Sequence, residues 1–409
     1  MNTAHNNKRE RPEETPQNPL DQPRGGPLSG LIIADFTRVL AGPYCTMLLG
    51  DMGATVIKVE SPAGDDTRGY APPYLNEDAT YYLSSNRNKH SVVLNLKNEQ
   101  DREVALQLAA VSDVLIENFK VGGMASFGLD YDAVAAVNPE IIYTSITGFG
   151  TGEGAQYPGY DLSAQAFSGM MSITGEKDGG PLRAGFALFD VITGLHAGMG
   201  ILGALHHRTL TGEGQLLELN LLSSALSGMV YQTSAYVAGG EVPTRLGNEH
   251  PSLYPYEPFP TTDGSLVVAV GNDTQFARLC VLLGLPELAS DTRFSTMAAR
   301  NQHREELRRT LLPRFGLDTS EHWFDELTRE KIPCAPVNTI AQGVTTAERF
   351  GLDPVVFAGE GERRIPTVRH PVSYSATPAS YDLAPPVLGS STQLVRDWLT
   401  KHNPHSEEI

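Results

Sequence analysis

A carboxylate at the start of a long apolar segment is the first feature of this 409-residue sequence that could do chemistry. Asp190 directly precedes the residues VITG, and the proline-free stretch from Phe189 to Arg208 predicts one long packed helix. A carboxylate there accepts free backbone N–H groups and meets the positive end of the helix dipole. Spacing alone therefore favours a plain N-cap, and a chemical role for Asp190 needs further support.

Glycines form the second group of interest. Gly148, Gly150, Gly152 and Gly154 could bring backbone N–H donors close to a developing oxyanion, although glycine clusters are more often flexible loops. The run from Gly198 to Gly203 fits G-x-G-x-x-G but follows no strand, so it predicts close helix packing instead of nucleotide binding. No G-x-x-x-x-G-K-[ST] run is present, and a kinase or ATPase has no support.

Charge and cysteine content narrow the possible partners. The 31 Lys plus Arg against 48 Asp plus Glu give a formal net charge of −17, which repels nucleic acid and anionic membranes. A polyanionic cofactor would need a local basic pocket. Cys45, Cys280 and Cys334 are scattered and show no zinc spacing, and His206 and His207 are adjacent and so point apart, which predicts no metal site. We expect a cytoplasmic protein.

The elements that must position Asp190 are predicted from apolar runs. Strands are expected at 31–36, 55–60, 91–96, 114–117 and 141–145, with helices at 41–49 and 99–110 between them. Strands that alternate with helices predict an α/β fold with a parallel, doubly wound sheet. No segment offers about 18 uninterrupted apolar residues, so no membrane span is predicted.

Changes in composition predict how the chain is divided. Residues 1–27 lack an apolar secretory stretch and are expected to be a disordered tail. Residues 28–225 are expected to form the first part of a large domain, and residues 226–335 a linker and a small domain, because proline and glycine become dense before a new strand at 266–270. Residues 336–409 are predicted to return to the large domain.

Eight segments in register resemble the family III CoA-transferases, also called the CaiB/BaiF family, from Pro27 to Leu399. The segments are LIIADFTRVLAGPYCTMLLGDMGATVIKVES, NRNKHSVVLNLK, ENFKVGG, SITGFG, GYDLSAQAFSG, FDVITG, GNDTQF and APVN. The resemblance implies a Rossmann-like large domain formed by both chain ends, a smaller α+β domain and an interlocked homodimer. It also implies that Asp190 is the nucleophile that takes the acyl group of an acyl-CoA, with a free carboxylic acid as the second substrate and no metal.

The resemblance also implies where coenzyme A binds. The expected contacts lie after predicted strands, where such sheets bind nucleotides. They are Val39, Leu40, Ala41, Leu94, Asn118, Phe119, Thr147 and Gly148, with Arg68, Arg87, Lys89, Lys97 and Lys120 as the cations available for phosphate. Ser61 and Ser126 stand where the formyl-CoA member of the family has basic residues.

Three alternatives stay open at this point. The 2-methylacyl-CoA racemases of the family need a histidine in a G-H-D motif, but this sequence has Tyr160 between Gly159 and Asp161, and a phenol is a poor base near neutral pH. Asp273 stands where the racemases have a glutamate. An intramolecular CoA isomerase and a non-catalytic CoA-binding protein are the other two. The transferase hypothesis, with succinyl-CoA as a possible donor, gains most from Tyr160.

Overall fold

The computed structural model describes residues 19–21 and 24–402. Most of the predicted disordered tail lies outside these residues. Its described part packs on the fold, because Leu20 is buried in the hydrophobic core and Trp398 Nε1 donates to Asp21 Oδ1 at 2.6 Å. Arg24 Nη1 donates to the Asn88 carbonyl at 3.2 Å. The tail prediction is therefore wrong for residues 19–21 and 24–27.

The described residues form two compact units. The first unit takes the described residues up to 164, residues 187–228, and residues 355 to 402. Its centre is a six-stranded sheet in the order β5-β2-β1-β6-β7-β8, and every neighbouring pair is parallel. The strands are β1 (Ile32–Asp35), β2 (Thr55–Glu60), β5 (Lys89–Val93), β6 (Val114–Glu117), β7 (Ile142–Thr147) and β8 (Gln215–Asn220). The predicted parallel sheet is confirmed.

The sheet has a crevice where its order reverses. After β1 the chain continues to β2 and β5 on one side of the sheet, and after β6 it continues to β7 and β8 on the other side. The loops that follow β1 and β6 therefore lead in opposite directions. All six residues of β2 are buried, as expected of a strand covered on both faces. Ligands of doubly wound sheets bind at such a crevice.

Eight α-helices of the described residues begin in the first unit, and two short strand pairs complete it. The helices are α1 (Ala41–Asp51), α2 (Thr80–Leu83), α3 (Glu99–Ala110), α4 (Tyr131–Val137), α5 (Asp161–Phe167), α7 (Leu188–Thr211), α8 (Leu221–Gly228) and α15 (Thr392–His402). The strand pairs are β3 (Tyr74–Leu75) with β4 (Asp78–Ala79), and β12 (Val355–Ala358) with β13 (Ile365–Val368). The chain leaves the first unit within α5.

Helix α7 has one buried face and one exposed face. Phe189, Thr193, Ala197 and Ile201 recur at helical spacing on the buried side. Among the described residues it is the one helix whose length and apolar composition would suffice to cross a membrane, a test that core helices also pass.

The second unit, residues 165–186 and 229–354, has its own apolar core. Its antiparallel sheet has the order β11-β10-β9, formed by β9 (Tyr256–Pro260), β10 (Ser265–Ala269) and β11 (Cys334–Pro336). Its helices are α6 (Met170–Ile173), α9 (Tyr231–Val237), α10 (Asp273–Leu282), α11 (Met297–Gln302), α12 (Arg304–Phe315), α13 (Ser320–Arg329) and α14 (Ile340–Arg349).

The division of the chain differs from the predicted one in two places. Residues 165–186 belong to the second unit, because the Gly247 N–H donates to the Gly175 carbonyl and ties the two segments together. The chain rejoins the first unit at 355 instead of 336, because Ala335 and its neighbours pair with β10 in β11. A strand of only three residues gives too short a pattern for the sequence to distinguish it from a chain return.

Candidate active site

A cavity of about 400 Å³ lies at the carboxyl ends of β1, β6 and β7 in the first unit. Four loops line it, at 38–41, 118–121, 146–150 and 154–160, together with Asp66, Asp190 and Leu221. Eight of the predicted CoA contacts therefore share one cavity with the predicted nucleophile. These eight are Val39, Leu40, Ala41, Asn118, Phe119, Lys120, Thr147 and Gly148.

Asp190 is the third residue of α7 and is partly buried. Burial, with the negative charge of Asp161 as the second cause, raises the pKa of Asp190 from the ordinary 3.8 to about 7. A carboxylate that is poorly solvated is a stronger nucleophile than one in bulk water. Asp190 therefore has the environment of a reactive group.

The first turn of α7 is capped by another residue. The N-cap position is Ala187, which has no side-chain cap, and Asp161 Oδ1 accepts the N–H of Phe189 at 2.7 Å and of Asp190 at 3.2 Å. The expectation that Asp190 itself caps the helix is wrong, because these N–H groups already have an acceptor. The carboxylate of Asp190 is consequently not required to end the helix.

Tyrosines surround the carboxylate. Tyr70 and Tyr81 meet edge to face with ring centroids 5.5 Å apart. Burial, and next the charge of Asp190, raise the pKa of the Tyr81 phenol to about 12. Tyr160 lines the cavity and is largely exposed. The surroundings of Asp190 thus combine phenol donors with apolar ring surface.

The loop after β1 is held in a strained conformation. Val39 has a φ of 68°, a left-handed conformation that costs a β-branched residue ~1–3 kcal/mol. Its N–H donates to Asp65 Oδ1 at 3.3 Å. Lys58 Nζ donates to the Thr37 carbonyl and to Asp65 Oδ2, both at 2.9 Å, and this ion pair is fully buried. The buried Lys58–Asp65 pair therefore positions backbone that lines the cavity.

Two predicted phosphate contacts do not face the cavity. Arg87 Nε and Nη2 donate to both oxygens of Asp51, at 2.9 and 2.6 Å, inside the protein. Lys89 Nζ is buried and donates to Asp35 Oδ2 at 3.1 Å and to the Pro43 carbonyl at 2.9 Å. Both charges are therefore used to hold the fold, and neither is available to a phosphate.

Leu94 and Lys97 also lie away from the cavity. Leu94 is buried in the hydrophobic core, and Lys97 is exposed just before α3 and lines neither this cavity nor its neighbour. The neighbouring cavity, of about 250 Å³, shares Phe119, Lys120, Val121 and Thr147 with the first, and four acidic side chains also line it. Lys120 is thus the predicted phosphate contact that the structure places beside both cavities.

One close backbone approach explains part of the glycine pattern. A Cβ on Gly148 would lie 2.4 Å from the Gly159 Cα, so only glycine fits at this crossing of two cavity loops. Gly150 has a φ of 84°, and its N–H donates to Thr147 Oγ1 at 3.1 Å. These glycines shape the wall of the cavity that Asp190 also lines, and an oxyanion role for them stays a prediction.

Known proteins whose sequences resemble this chain over most of its length are named CoA-transferases. A model of CoA-transferase family III matches residues 28–392. The chain is 42% identical to succinate–glutarate CoA-transferase of Agrobacterium fabrum, over 90% of this chain and 94% of that protein. It is 41% identical to succinyl-CoA:glutarate CoA-transferase of Mus musculus, over 92% and 87% of the two chains. A solved CAIB/BAIF family protein from Brucella suis shares 38% identity and a TM-score of 0.82 over 92% of this chain and all of that one.

The chain belongs to CoA-transferase family III. The resemblance found in the sequence is confirmed, and the protein is a CoA-transferase. The geometry also disfavours the racemase alternative. Asp273, which stands where the racemases have a glutamate, lies at the start of α10, and its Oδ1 is paired with the buried Arg300 at 2.6 Å.

Sequence reasoning missed three residues of this CoA-transferase that shape the site. Asp161 caps the helix that carries Asp190, and Lys58 and Asp65 hold the loop after β1. Lys58 within the buried run TVIKVE was the available signal, since a lysine inside a strand buried on both faces must have a partner.

Proposed function

We propose that this enzyme transfers CoA from an acyl-CoA donor, with succinyl-CoA as the leading candidate, to a free dicarboxylic acid, and that Asp190 is the nucleophile. The observation that carries the proposal is a carboxylate with a raised pKa in the cavity at the sheet crevice. The substrates are suggested by the names of the relatives, which act on succinate and glutarate, both of them dicarboxylic acids.

The reaction proceeds by four acyl exchanges at Asp190. Its carboxylate attacks the thioester carbonyl of the donor, and the C–S bond breaks to give an acyl-aspartyl anhydride and CoA thiolate. The thiolate attacks the aspartyl carbonyl, which forms aspartyl-CoA thioester and releases the donor acid. The acceptor carboxylate then attacks this thioester to give a second anhydride, and the thiolate returns to the acceptor's carbonyl and frees Asp190.

The geometry supports each requirement of this sequence. One thioester is exchanged for another, so the enzyme must mainly hold its reactants in place and keep water from the intermediates. Partial burial of Asp190 reduces contact with water. The strained loop at Val39 and the glycine crossing at Gly148 bring backbone close to the cavity, where N–H groups can stabilise a tetrahedral oxyanion.

We also propose a homodimer. The face of α7 that points away from its unit exposes Leu195, Met199 and Leu202, and Met199 is 68% exposed. An apolar stripe on a helix that carries the nucleophile favours burial against another chain. Interlocked pairing, as the family resemblance implies, would cover it.

Chemical trapping of the intermediate tests the proposal. The enzyme is incubated with succinyl-CoA, quenched with hydroxylamine and digested, and the peptide containing Asp190 is analysed by mass spectrometry. We expect an aspartyl hydroxamate at Asp190, and a loss of CoA transfer of about a thousandfold or more in Asp190→Asn. Asp66→Asn, which alters another carboxylate of the cavity, is the matched control and should still be labelled at Asp190.

The outcomes separate the alternatives. Transfer to an added acid without modification at Asp190 would overturn the mechanism. An isomerase would act on one CoA ester with no added acid, and a non-catalytic CoA-binding protein would give no covalent adduct with any donor.

A further inference from the structure

The cavity around Asp190 contains two cations among its lining residues, and they occupy different positions. Lys120 also lines the neighbouring cavity, whereas Arg38 lines only the cavity of Asp190. The other charged side chains of the Asp190 cavity are Asp66 and Asp190 itself, in a chain of net charge −17. A second carboxylate on a substrate would therefore meet repulsion here except beside a cation.

Hydrogen bonds fix the backbone of Arg38, whereas its side chain is exposed. Its N–H donates to Asn118 Oδ1 at 3.0 Å, and Asn118 Nδ2 donates to its carbonyl at 2.8 Å. The loop after β1 is thereby fixed to the loop after β6. The side chain is 60% exposed, and its Nη1 contacts Asp66 Oδ2 at 3.4 Å.

The Arg38–Asp66 pair is easily replaced. It is exposed on both sides and long, and such pairs contribute little to stability. A guanidinium offers five N–H donors in a planar fork that matches a carboxylate bidentately, and Asp66 engages one of its nitrogens. A substrate carboxylate can thus take the fork while Asp66 keeps the guanidinium oriented in the empty site.

The second carboxylate of a dicarboxylic acid needs a cationic partner. One of its carboxylates must reach the thioester at Asp190, and the other stays ionised at neutral pH and must be neutralised at a distance set by the carbon chain. Tyr70 lies near Arg38 and Asp66, whose charges both act on its phenol, and it meets Tyr81 edge to face. Tyr160 lines the same cavity as Arg38 and Asp190, and its ring offers aromatic surface that methylene groups can contact.

We propose that Arg38 binds the distal carboxylate of the dicarboxylic acid and so determines the class of acid that this enzyme accepts. This inference rests on the proposed function, because it assumes transfer through Asp190. Lys120, the other cation that lines the Asp190 cavity, is assigned to the phosphates of CoA instead. Arg38 is thus assigned to the acid and Lys120 to CoA.

Kinetics of Arg38→Gln with glutarate as acceptor and succinyl-CoA as donor test the assignment. We expect kcat/KM for glutarate to fall about 10- to 100-fold, because a charge-assisted contact to the substrate is lost. The Kd of free CoA, measured by calorimetry, should stay within twofold, which shows that the fold and the CoA site are intact. Arg38→Lys should recover part of kcat/KM, since it keeps the charge without the fork.

One matched variant completes the experiment. Lys120→Gln removes the other cation of the Asp190 cavity and should raise the Kd of CoA, which Arg38→Gln should not do. An unchanged kcat/KM in Arg38→Gln, or a parallel loss of CoA affinity, would overturn the role of Arg38. Failure of the unaltered enzyme to transfer CoA to glutarate, succinate or oxalate would count against the proposed function itself.

Discussion

At the scale of single residues, Asp190 is prepared for chemistry by what surrounds it. Burial raises its pKa to about 7, and the charge of Asp161 adds to the shift. Asp161 at the same time accepts the N–H groups of Phe189 and Asp190. One neighbouring carboxylate thus both fixes the backbone position of Asp190 and raises the pKa of its side chain.

The two effects of Asp161 can be separated. Activity requires ionised Asp190, so kcat/KM for the acyl-CoA donor should rise with pH through about 7. Asp161→Asn keeps an oxygen acceptor for both N–H groups but removes the charge, so the pKa of Asp190 should fall and the midpoint of the profile should move to lower pH. The pH dependence of kcat/KM between pH 5 and 9 measures this shift.

Asp161→Ala serves as the comparison. It removes charge and acceptor together, so the first turn of α7 loses its cap and kcat should fall about tenfold at every pH. A midpoint that stays in place or rises in Asp161→Asn would contradict the electrostatic role.

At the scale of elements, α7 carries Asp190, and the start of α1 lines the cavity. The contact between these two helices requires glycine. A Cβ on Gly194 would lie 2.5 Å from the Ala41 carbonyl oxygen, at the start of α1. Ala41 belongs to the loop that lines the cavity. The distance between Asp190 and this loop is therefore set by the backbone contact one turn further along α7.

Gly194→Ala should separate the two helices. We expect a loss of about 1–3 kcal/mol in the free energy of unfolding, because the added methyl group meets a backbone atom that cannot rotate away. Transfer activity should also fall, since the loop moves relative to Asp190. Urea denaturation and steady-state kinetics measure the two effects.

The same helix provides the control. A Cβ on Gly198 would meet only Cys45 Sγ at 3.7 Å, an ordinary contact. Gly198→Ala should therefore be neutral or stabilise the protein by up to about 1 kcal/mol. Equal destabilisation by both substitutions would show that the close approach at Gly194 is not the cause.

At the scale of the whole molecule, the exposed apolar face of α7 is the feature that a single chain leaves unexplained. Leu195, Met199 and Leu202 follow helical spacing on this face. Burial against a second copy of the chain would remove this apolar surface from water.

The proposed homodimer predicts a mass of about twice the 44.2 kDa of one chain in analytical ultracentrifugation. Met199→Glu places a charge on the apolar face and should shift the equilibrium toward single chains, whereas Met199→Leu should not. Circular dichroism checks that both variants are folded. A single-chain mass for the unaltered protein at micromolar concentration would refute the dimer.

Local sequence predicted much of the fold because the strands that build the sheet are short, apolar and separated by helices. The helix 99–110 and the strands 55–60 and 114–117 have the predicted bounds. β8 was not predicted because it is an edge strand with alternate residues exposed, so its apolar run is broken. β5 begins at Lys89 instead of Ser91, since the buried ion pair lets a charged residue stand in a strand.

The sequence by itself determined that a carboxylate opens a long apolar helix in an α/β protein, and its motifs indicated the family. Only the tertiary structure decided which charges face the cavity. Arg87 and Lys89 resemble phosphate contacts in sequence, yet each is buried against an aspartate that lies far away in the chain. A side chain's charge is a local property, whereas its partner is chosen by the fold, and so the cations that line the Asp190 cavity are Arg38 and Lys120.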